Sequence, residues 1–588
     1  MNSFLMILKY WLRSKKAFFI QFSLLAISTV FSTMIPIYLG RIVGSLDPNL
    51  IRKTGFTQLT LNFIILAVLA TLTYITSRAG RTSGAEVSSR AIYHLRSDIS
   101  TAINQQSFSF FDKTETGQLI SRTTSDVEET QQIFGMGLNL GIQSILQITG
   151  VIVGFLIFSL EFSFILLIMI VISTIISVLI AKKLKPIFLE TRYSFGDLTN
   201  TIRENIVGAD VVRIFNTQEK ESKKFSINND RFFKASVDSV KFNALYAPLM
   251  YLTMGIMTIT ILLIGGRQVI QGIMQLEVLV TLQSYVAALG FPLMMLGQLM
   301  LIYIQADAAL TRIREVFEST SEIVDLDDAI HVEKFNGDIE FDDASFGYLS
   351  SRRILKNVSF KLSAGKKLAI LGTTGSGKST IINLIPRFYD VNQGIIKIDG
   401  IDIRKIRVKD LRKRIGIVSQ ETFLFNKTIG ENLSYGNENA SKEQIIWAAK
   451  VADLHDFIIS LPKGYDTLVG ERGARLSGGQ KQRLSIARAL IIKPDILILD
   501  DSTSSVDVET EFNIQNALEE VMKDTTSIII TQRISTIRNA DLILIMDRGR
   551  VVGFGTHDKL IESNVLYKQI FQTLFQKQKS VSSNWTLY

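Results

Sequence analysis

Along the first 310 residues the apolar positions gather into six long uncharged runs: Ala17–Gly40, Thr54–Ser77, Gly137–Leu160, Phe162–Ala181, Phe242–Gly266 and Val278–Ala306. About 20 apolar residues in helical form span the hydrocarbon core of a bilayer. Lipid offers backbone N–H and C=O groups no partner, so each run predicts a membrane-crossing helix. One such run alone would also suit a buried helix of a water-soluble protein; six in succession do not. Glu161 alone separates the third run from the fourth, which predicts a tight turn there. Pro292, with Gly290 and Gly297 beside it, predicts a bend in the sixth. Past Ala306 the pattern changes to short apolar runs alternating with polar helical stretches, as in an α/β domain.

Charge adds orientation. The chain carries a net +9, with 20% charged and 47% hydrophobic residues. The Lys and Arg residues collect beside the apolar runs and do not interleave with aromatics, which excludes a nucleic-acid partner. Lys9, Arg13, Lys15 and Lys16 precede the first run, and Lys182, Lys183 and Lys185 follow the fourth. By the positive-inside rule both termini are cytosolic, although Arg41, Arg52 and Lys53 run against the rule in the first outer loop. The basic start resembles a signal peptide. Its apolar run is too long and has no small-residue cleavage site, so it reads as a retained first helix, with Met1–Arg13 along the membrane surface. Two polar segments, Arg78–Met136 and Lys182–Lys241, predict helices that extend into the cytosol as levers, with a turn at Phe110–Gly117 in the first. Cysteine is absent, which removes disulfides and Cys-ligated metals and leaves the compartment undecided.

The α/β half carries phosphate chemistry. Gly372-Thr373-Thr374-Gly375-Ser376-Gly377-Lys378-Ser379-Thr380 lies between a strand-like run, Lys367–Leu371, and a helix-like stretch from Ser379. This is the strand–loop–helix setting of a P-loop. Glycines let successive N–H groups face the phosphates of ATP at a helix N-terminus. Lys378 supplies charge to the β- and γ-phosphates, and Ser379 a hydroxyl to Mg²⁺. Ile496-Leu497-Ile498-Leu499-Asp500 reads as a buried strand ending in a second group for Mg²⁺.

Between them stands Leu476-Ser477-Gly478-Gly479-Gln480. With the P-loop and Asp500 before and after it, the chain resembles the ATP-binding cassette family, and its exporter branch in particular, from about Ser14 to Phe575. Phe111-Asp112 to Asp126 and Glu204 to Phe215 carry the likeness in the membrane half. The resemblance implies a multi-domain chain. An all-α six-helix transmembrane domain occupies 1–325, an α/β P-loop nucleotide-binding domain 326–575, and a polar tail 576–588. It also implies that Tyr348 stacks on adenine, that Gln420 of the Q-loop serves Mg²⁺ and catalysis, and that Ser504–Asp507 is the D-loop, with Gly470-Glu471-Arg472-Gly473 ahead of the signature. Family members work as dimers in which each ATP lies between the P-loop of one subunit and Ser477 and Gly479 of the other.

Two positions depart from the family's pattern. Its usual Glu after the strand-end Asp is here Asp501, and its switch His is Gln532. Aspartate's shorter stem leaves the carboxylate about an ångström short, and a misplacement of that size costs on the order of a hundredfold in rate. Glutamine can hydrogen-bond but carries no charge. Binding residues kept beside a weakened hydrolytic pair resemble one subunit of a heterodimer with unequal sites. A slow homodimer and a regulatory ATP-binding subunit remain as alternatives. The spans hold scattered amides and phenols (Gln21, Asn62, Gln143, Gln147, Gln283, Gln298, Gln305, Tyr74, Tyr251, Tyr303) among methionines, which suits lipophilic or amphipathic cargo. Such groups also serve plain helix packing. A lipid flippase and a peptide exporter stay open. The layout fits a bacterial plasma membrane.

Overall fold

The structure, a computed structural model, describes residues 3–46, 56–319, 321–348, 352–500, 523 and 525–583. Asp501, the 504–507 segment, Arg52, Lys53 and the start of the second apolar run lie outside these residues. By internal contacts the chain divides into two compact units. One comprises Met1–Gln105 with Thr114–Ser319; the other comprises Gln106–Lys113 with Thr320–Tyr588.

The first unit is helical, and among the described residues six of its helical stretches are long and apolar enough to cross a membrane. Helix Lys15–Gly44 contains the first run, and Thr57–Asn104 carries the second on without a break for some 27 residues past its apolar end at Ser77. A π-helical turn, Ile133–Gly137, leads into Leu138–Phe158. The fourth run opens Leu160–Val207, and the fifth closes Gln218–Ile270. The third and fourth spans meet at the single extended residue Ser159, whose hydroxyl accepts from the Phe162 N–H. Glu161 therefore sits in the first turn of the next helix, favourable for an acid, and accepts from Gln268 Nε2 at 2.9 Å. The sixth span is interrupted at Leu289, between Leu276–Ala288 and Gly290–Glu318. Pro292 has no N–H for the Ala288 carbonyl, which ends the first piece there.

Several polar groups inside this unit pair across helices. Gln21 Nε2 donates to Asn139 Oδ1 at 2.9 Å, Ser32 Oγ to Gln147 Oε1 at 3.1 Å, and Tyr285 Oη to the Thr33 carbonyl at 2.9 Å. Gly84 lies where the second helix meets that amide pair; a Cβ there would stand 2.4 Å from Asn139 Oδ1. Helix Ser3–Arg13 buries Met6, Ile7 and Tyr10 against Leu95, Ile99 and Phe134. Asp126, 4% exposed, accepts a two-pronged bond from the Arg312 guanidinium, with Nη2 at 2.6 Å. Burying a carboxylate costs several kcal/mol, and a forked guanidinium is the partner that best offsets it.

The segment Phe108–Lys113 is a short helix bounded by breaks at Gln105–Ser107 and Thr114–Glu115, so the expected turn at Phe110–Gly117 is a helical corner with a break on each side. The second polar segment likewise turns through the short helix Ala209–Ile214.

The second unit is built on two sheets. Strands β1 (Ile339–Phe346), β2 (Leu355–Leu362), β4 (Gln393–Ile398) and β5 (Ile401–Asp402) form an antiparallel sheet in the order β2-β1-β4-β5. Strands β3 (Lys367–Gly372), β6 (Ile415–Val418), β7 (Ile496–Asp500), β8 (Thr526–Ile530), β9 (Leu542–Asp547) and β10 (Arg550–Gly555) form the other. Its order is β10-β9-β3-β8-β7-β6, parallel except at β10. Ile496–Leu499 are all buried, as an uninterrupted apolar strand of a covered parallel sheet must be. A second core, with Leu484, Ile486 and Leu490 of helix Gly478–Leu490, lies on the outer side of β6 and β7. Helix Val565–Ser583 runs through the beginning of the polar tail, anchored by buried Tyr567.

Candidate functional site

In an open parallel sheet, ligands gather where the strands end at their carboxyl side. The register here places four such ends side by side: Ile370 of β3 faces Ile530 of β8, Ile530 faces Asp500 of β7, and Leu499 faces Val418 of β6. The P-loop leaves β3, Gln532 follows β8, Asp500 closes β7 and Gln420 follows β6. Residues 160 positions apart in sequence are thus neighbours at one sheet edge.

Gly372 ends β3, and a Cβ there would stand 2.2 Å from the Met546 carbonyl oxygen. Gly377 takes φ +102°, where a Cβ would stand 2.6 Å from Leu355 Cδ2, so only glycine fits the curl. Helix Lys378–Leu384 starts directly after it. The Ser376 N–H donates to the Thr373 carbonyl, and the Gly549 N–H to the Ser376 carbonyl, both at 3.1 Å, which ties the loop to the β9–β10 turn. Lys378 Nζ donates to the Gly372 and Thr373 carbonyls at 2.9 Å. Burial holds the Lys378 ammonium below its ordinary pKa, and the charge of Asp500 opposes that. Ser376 Oγ is buried with no hydrogen-bond partner. A partly desolvated ammonium in this loop suits a polyanion.

A cavity of about 880 Å³ opens over this loop, lined by Tyr348, Gly375, Gly377, Lys378, Ser379 and Thr380. Its remaining wall includes Arg352, Arg353, Lys356 and Arg548, cations that motif reading does not single out, although an Arg pair four residues past Tyr348 is a visible charge signal. Tyr348, 37% exposed, meets Phe346 edge-on with centroids 5.0 Å apart.

The structure brings Tyr348 and the P-loop to one cavity, and Asp500, Gln532 and Gln420 to adjoining strand ends. It does not bring Ser477 and Gly479 there; among the described residues, none of the signature lines the cavity. Ser477 instead caps helix Gly478–Leu490, with its hydroxyl accepting from the Gln480 N–H at 3.3 Å and Gln480 Oε1 accepting from the Ser477 N–H at 2.9 Å. The turn before it uses Gly470 at φ +76° and Arg472 at φ +48°.

Residues 18–293 match the ABC transporter transmembrane region, and residues 355–504 match the ABC transporter family. An ATP-dependent lipid A-core flippase of Syntrophus aciditrophicus is 37% identical over 493 residues, covering 84% of this chain and 82% of its own. The chain belongs to the ABC transporter family. The putative multidrug export ATP-binding/permease protein YgaD of Bacillus subtilis is 34% identical over 484 residues, 82% of this chain and 83% of its own. A solved bacterial Atm1-family ABC exporter with ATP bound superposes with a TM-score of 0.82 at 28% identity, over 95% of this chain and 99% of that one.

This ABC exporter is therefore a half-transporter: a helical membrane domain followed by an α/β domain that binds ATP, whose hydrolysis is coupled to transport. The strand-end set fits Mg²⁺ as well as nucleotide, since Ser379 lines the cavity and Asp500 is close enough to act on Lys378. Ser379, Asp500 and Gln420 are the oxygen donors that would hold the ion, which supplies charge neutralisation to the phosphates.

The membrane unit has a cleft of its own, about 440 Å³, between the fifth and sixth spans. Met254, Thr258, Leu262, Leu279, Gln283 and Ser284 are among its walls. Gln283 Oε1 is shielded from solvent and has no hydrogen-bond partner.

Proposed function

We propose that this chain is one subunit of a heterodimeric exporter of lipophilic or amphipathic compounds in a bacterial plasma membrane, with both termini in the cytosol. The domains divide as 1–325 and 326–575. Its P-loop, with Tyr348, Asp500 and Gln420, builds a site that holds ATP and hydrolyses it poorly. Its Ser477 and Gly479 complete the hydrolysing site on the partner's P-loop. The observation that carries this is the coexistence of an intact P-loop and signature with Asp501 and Gln532 where the family has Glu and His. Support for two-chain sites comes from the signature's absence from the cavity wall. The test is ATPase activity of the purified chain alone and reconstituted with its partner. Little activity alone and normal activity together is the expected result. Ordinary turnover by the chain alone would make Asp501 a working base and end the asymmetric reading.

Cargo follows from the cleft. Its mostly apolar walls and the Gln283 amide oxygen, unpartnered among the described residues, suit an amphipathic molecule that donates a hydrogen bond. Gln283→Leu is expected to slow uptake of a donor-bearing fluorescent amphiphile into inverted vesicles by about fivefold, the weight of one hydrogen bond. Uptake of its O-methylated analogue should be unchanged. Equal effects on both would remove Gln283 from cargo binding. A lipid flippase is the second reading, favoured by the 37% identical relative, and translocation of a fluorescent phospholipid in the same vesicles separates the two.

A further inference from the structure

Tyr389 belongs to none of the motifs above, yet it touches three parts of the molecule. It lies just past the helix that the P-loop starts, Lys378–Leu384. Its ring meets Tyr348 edge-on, with centroids 5.0 Å apart at 85°, and also contacts Phe346 at 5.5 Å. Its hydroxyl donates to Asp112 Oδ2 at 2.6 Å, a short, charge-assisted bond. Asp112 lies in Phe108–Lys113, the corner helix whose chain runs on at both ends into the membrane unit. Burial, with the Asp112 carboxylate adding to it, pushes the Tyr389 phenol up, so it stays a donor at all physiological pH.

Neighbouring contacts hold Tyr389 in this position. Phe108 stacks on Phe388 with centroids 4.2 Å apart, and the Arg412 guanidinium lies 5.3 Å from the Phe388 ring centre. The Gly347 N–H donates to Asn392 Oδ1 at 2.8 Å, and the Asn392 N–H to the Ser345 carbonyl at 2.9 Å, which fastens the stretch around Tyr348 to the loop that carries Tyr389. Tyr348 thus lines the cavity while its ring packs at right angles against that of Tyr389.

We infer that Tyr389 is a positioning residue for nucleotide, setting the Tyr348 ring for the purine and tying that setting to the corner helix through Asp112. The affinity for ATP then depends on a side chain, Asp112, that does not line the cavity. By linkage, nucleotide also biases where the corner helix sits. The inference rests on Tyr348 as the adenine's stacking partner.

The test compares ATP with inorganic tripolyphosphate, which has no purine, as competitors for a fluorescent ATP analogue on the purified full-length chain. Tyr389→Phe keeps the ring and loses the hydroxyl; Asp112→Ala removes the acceptor at an exposed position. Each is expected to weaken ATP about fivefold and leave tripolyphosphate unchanged, and the double variant should be no worse than either single. Tyr348→Ala should weaken ATP at least as much and make Tyr389→Phe silent. If Tyr348→Ala weakens ATP but Tyr389→Phe and Asp112→Ala do not, the positioning role is overturned and adenine stacking stands. Parallel loss of tripolyphosphate overturns it as well, since that reports a loosened P-loop. If Tyr348→Ala leaves ATP affinity unchanged, the stacking reading fails and the inference falls with it.

Discussion

Ser477→Arg, placed in this chain within the two-subunit complex, is expected to cut ATP turnover by about a hundredfold or more, as removal of a transition-state donor does. Ser477 is exposed at the N-cap of a 13-residue helix, where its hydroxyl and the first backbone N–H groups present a positive end. Arginine there loses the cap, worth only about 1 kcal/mol of stability, so the complex should still assemble. In the proposed crossed arrangement, what disappears is the surface offered to the nucleotide on the partner. Lys378→Met in the same chain touches only this chain's own site and should lower total turnover by no more than about twofold, the share of a site that hydrolyses slowly. The steady-state rate of the reconstituted pair checks both. Near-normal turnover with Ser477→Arg would falsify the crossed arrangement.

The second large effect is a gain. In a complex already silenced by Ser477→Arg, adding Asp501→Glu and Gln532→His should raise the residual rate by on the order of a hundredfold, the cost ascribed to a carboxylate about an ångström short. Without the silencing change, the same pair of substitutions adds one working site to another, so the total rises about twofold at most. Single-turnover hydrolysis with enzyme in excess reads the two cases apart. No gain in the silenced complex would mean that something other than these two side chains limits this site.

How far the sequence was legible follows from what kind of signal each feature leaves. The six spans were plain because lipid enforces long uncharged runs, and nothing else in 588 residues imitates them. That the helix continues past the apolar end was legible too, in the polar segment from Arg78: Thr57–Asn104 passes Ser77, and its polar half still buries Val87, Ala91 and Leu95. The P-loop was legible as a fixed string whose glycines are dictated by close contacts at Met546 and Leu355. The assembly of Asp500, Gln532 and Gln420 on one edge depends on strand order, which no local pattern encodes. Tyr389 was missed because its role lies in contacts with residues 41 and 277 positions earlier, Tyr348 and Asp112. Of the amides in the spans, Gln21 and Gln147 serve helix packing, while Gln283 faces a cleft; sequence alone treats all three alike.

The placement of Gln532 past the last paired residue of its strand has an evolutionary consequence. Ile530 still pairs with Ile370 and Asp500, whatever side chain stands at 532. In the proposed pair that sheet register holds regardless, so a duplicated copy that lost hydrolysis would keep the fold around its nucleotide. Under that proposal selection would act on the pair as a unit, and the two genes would become unable to replace each other.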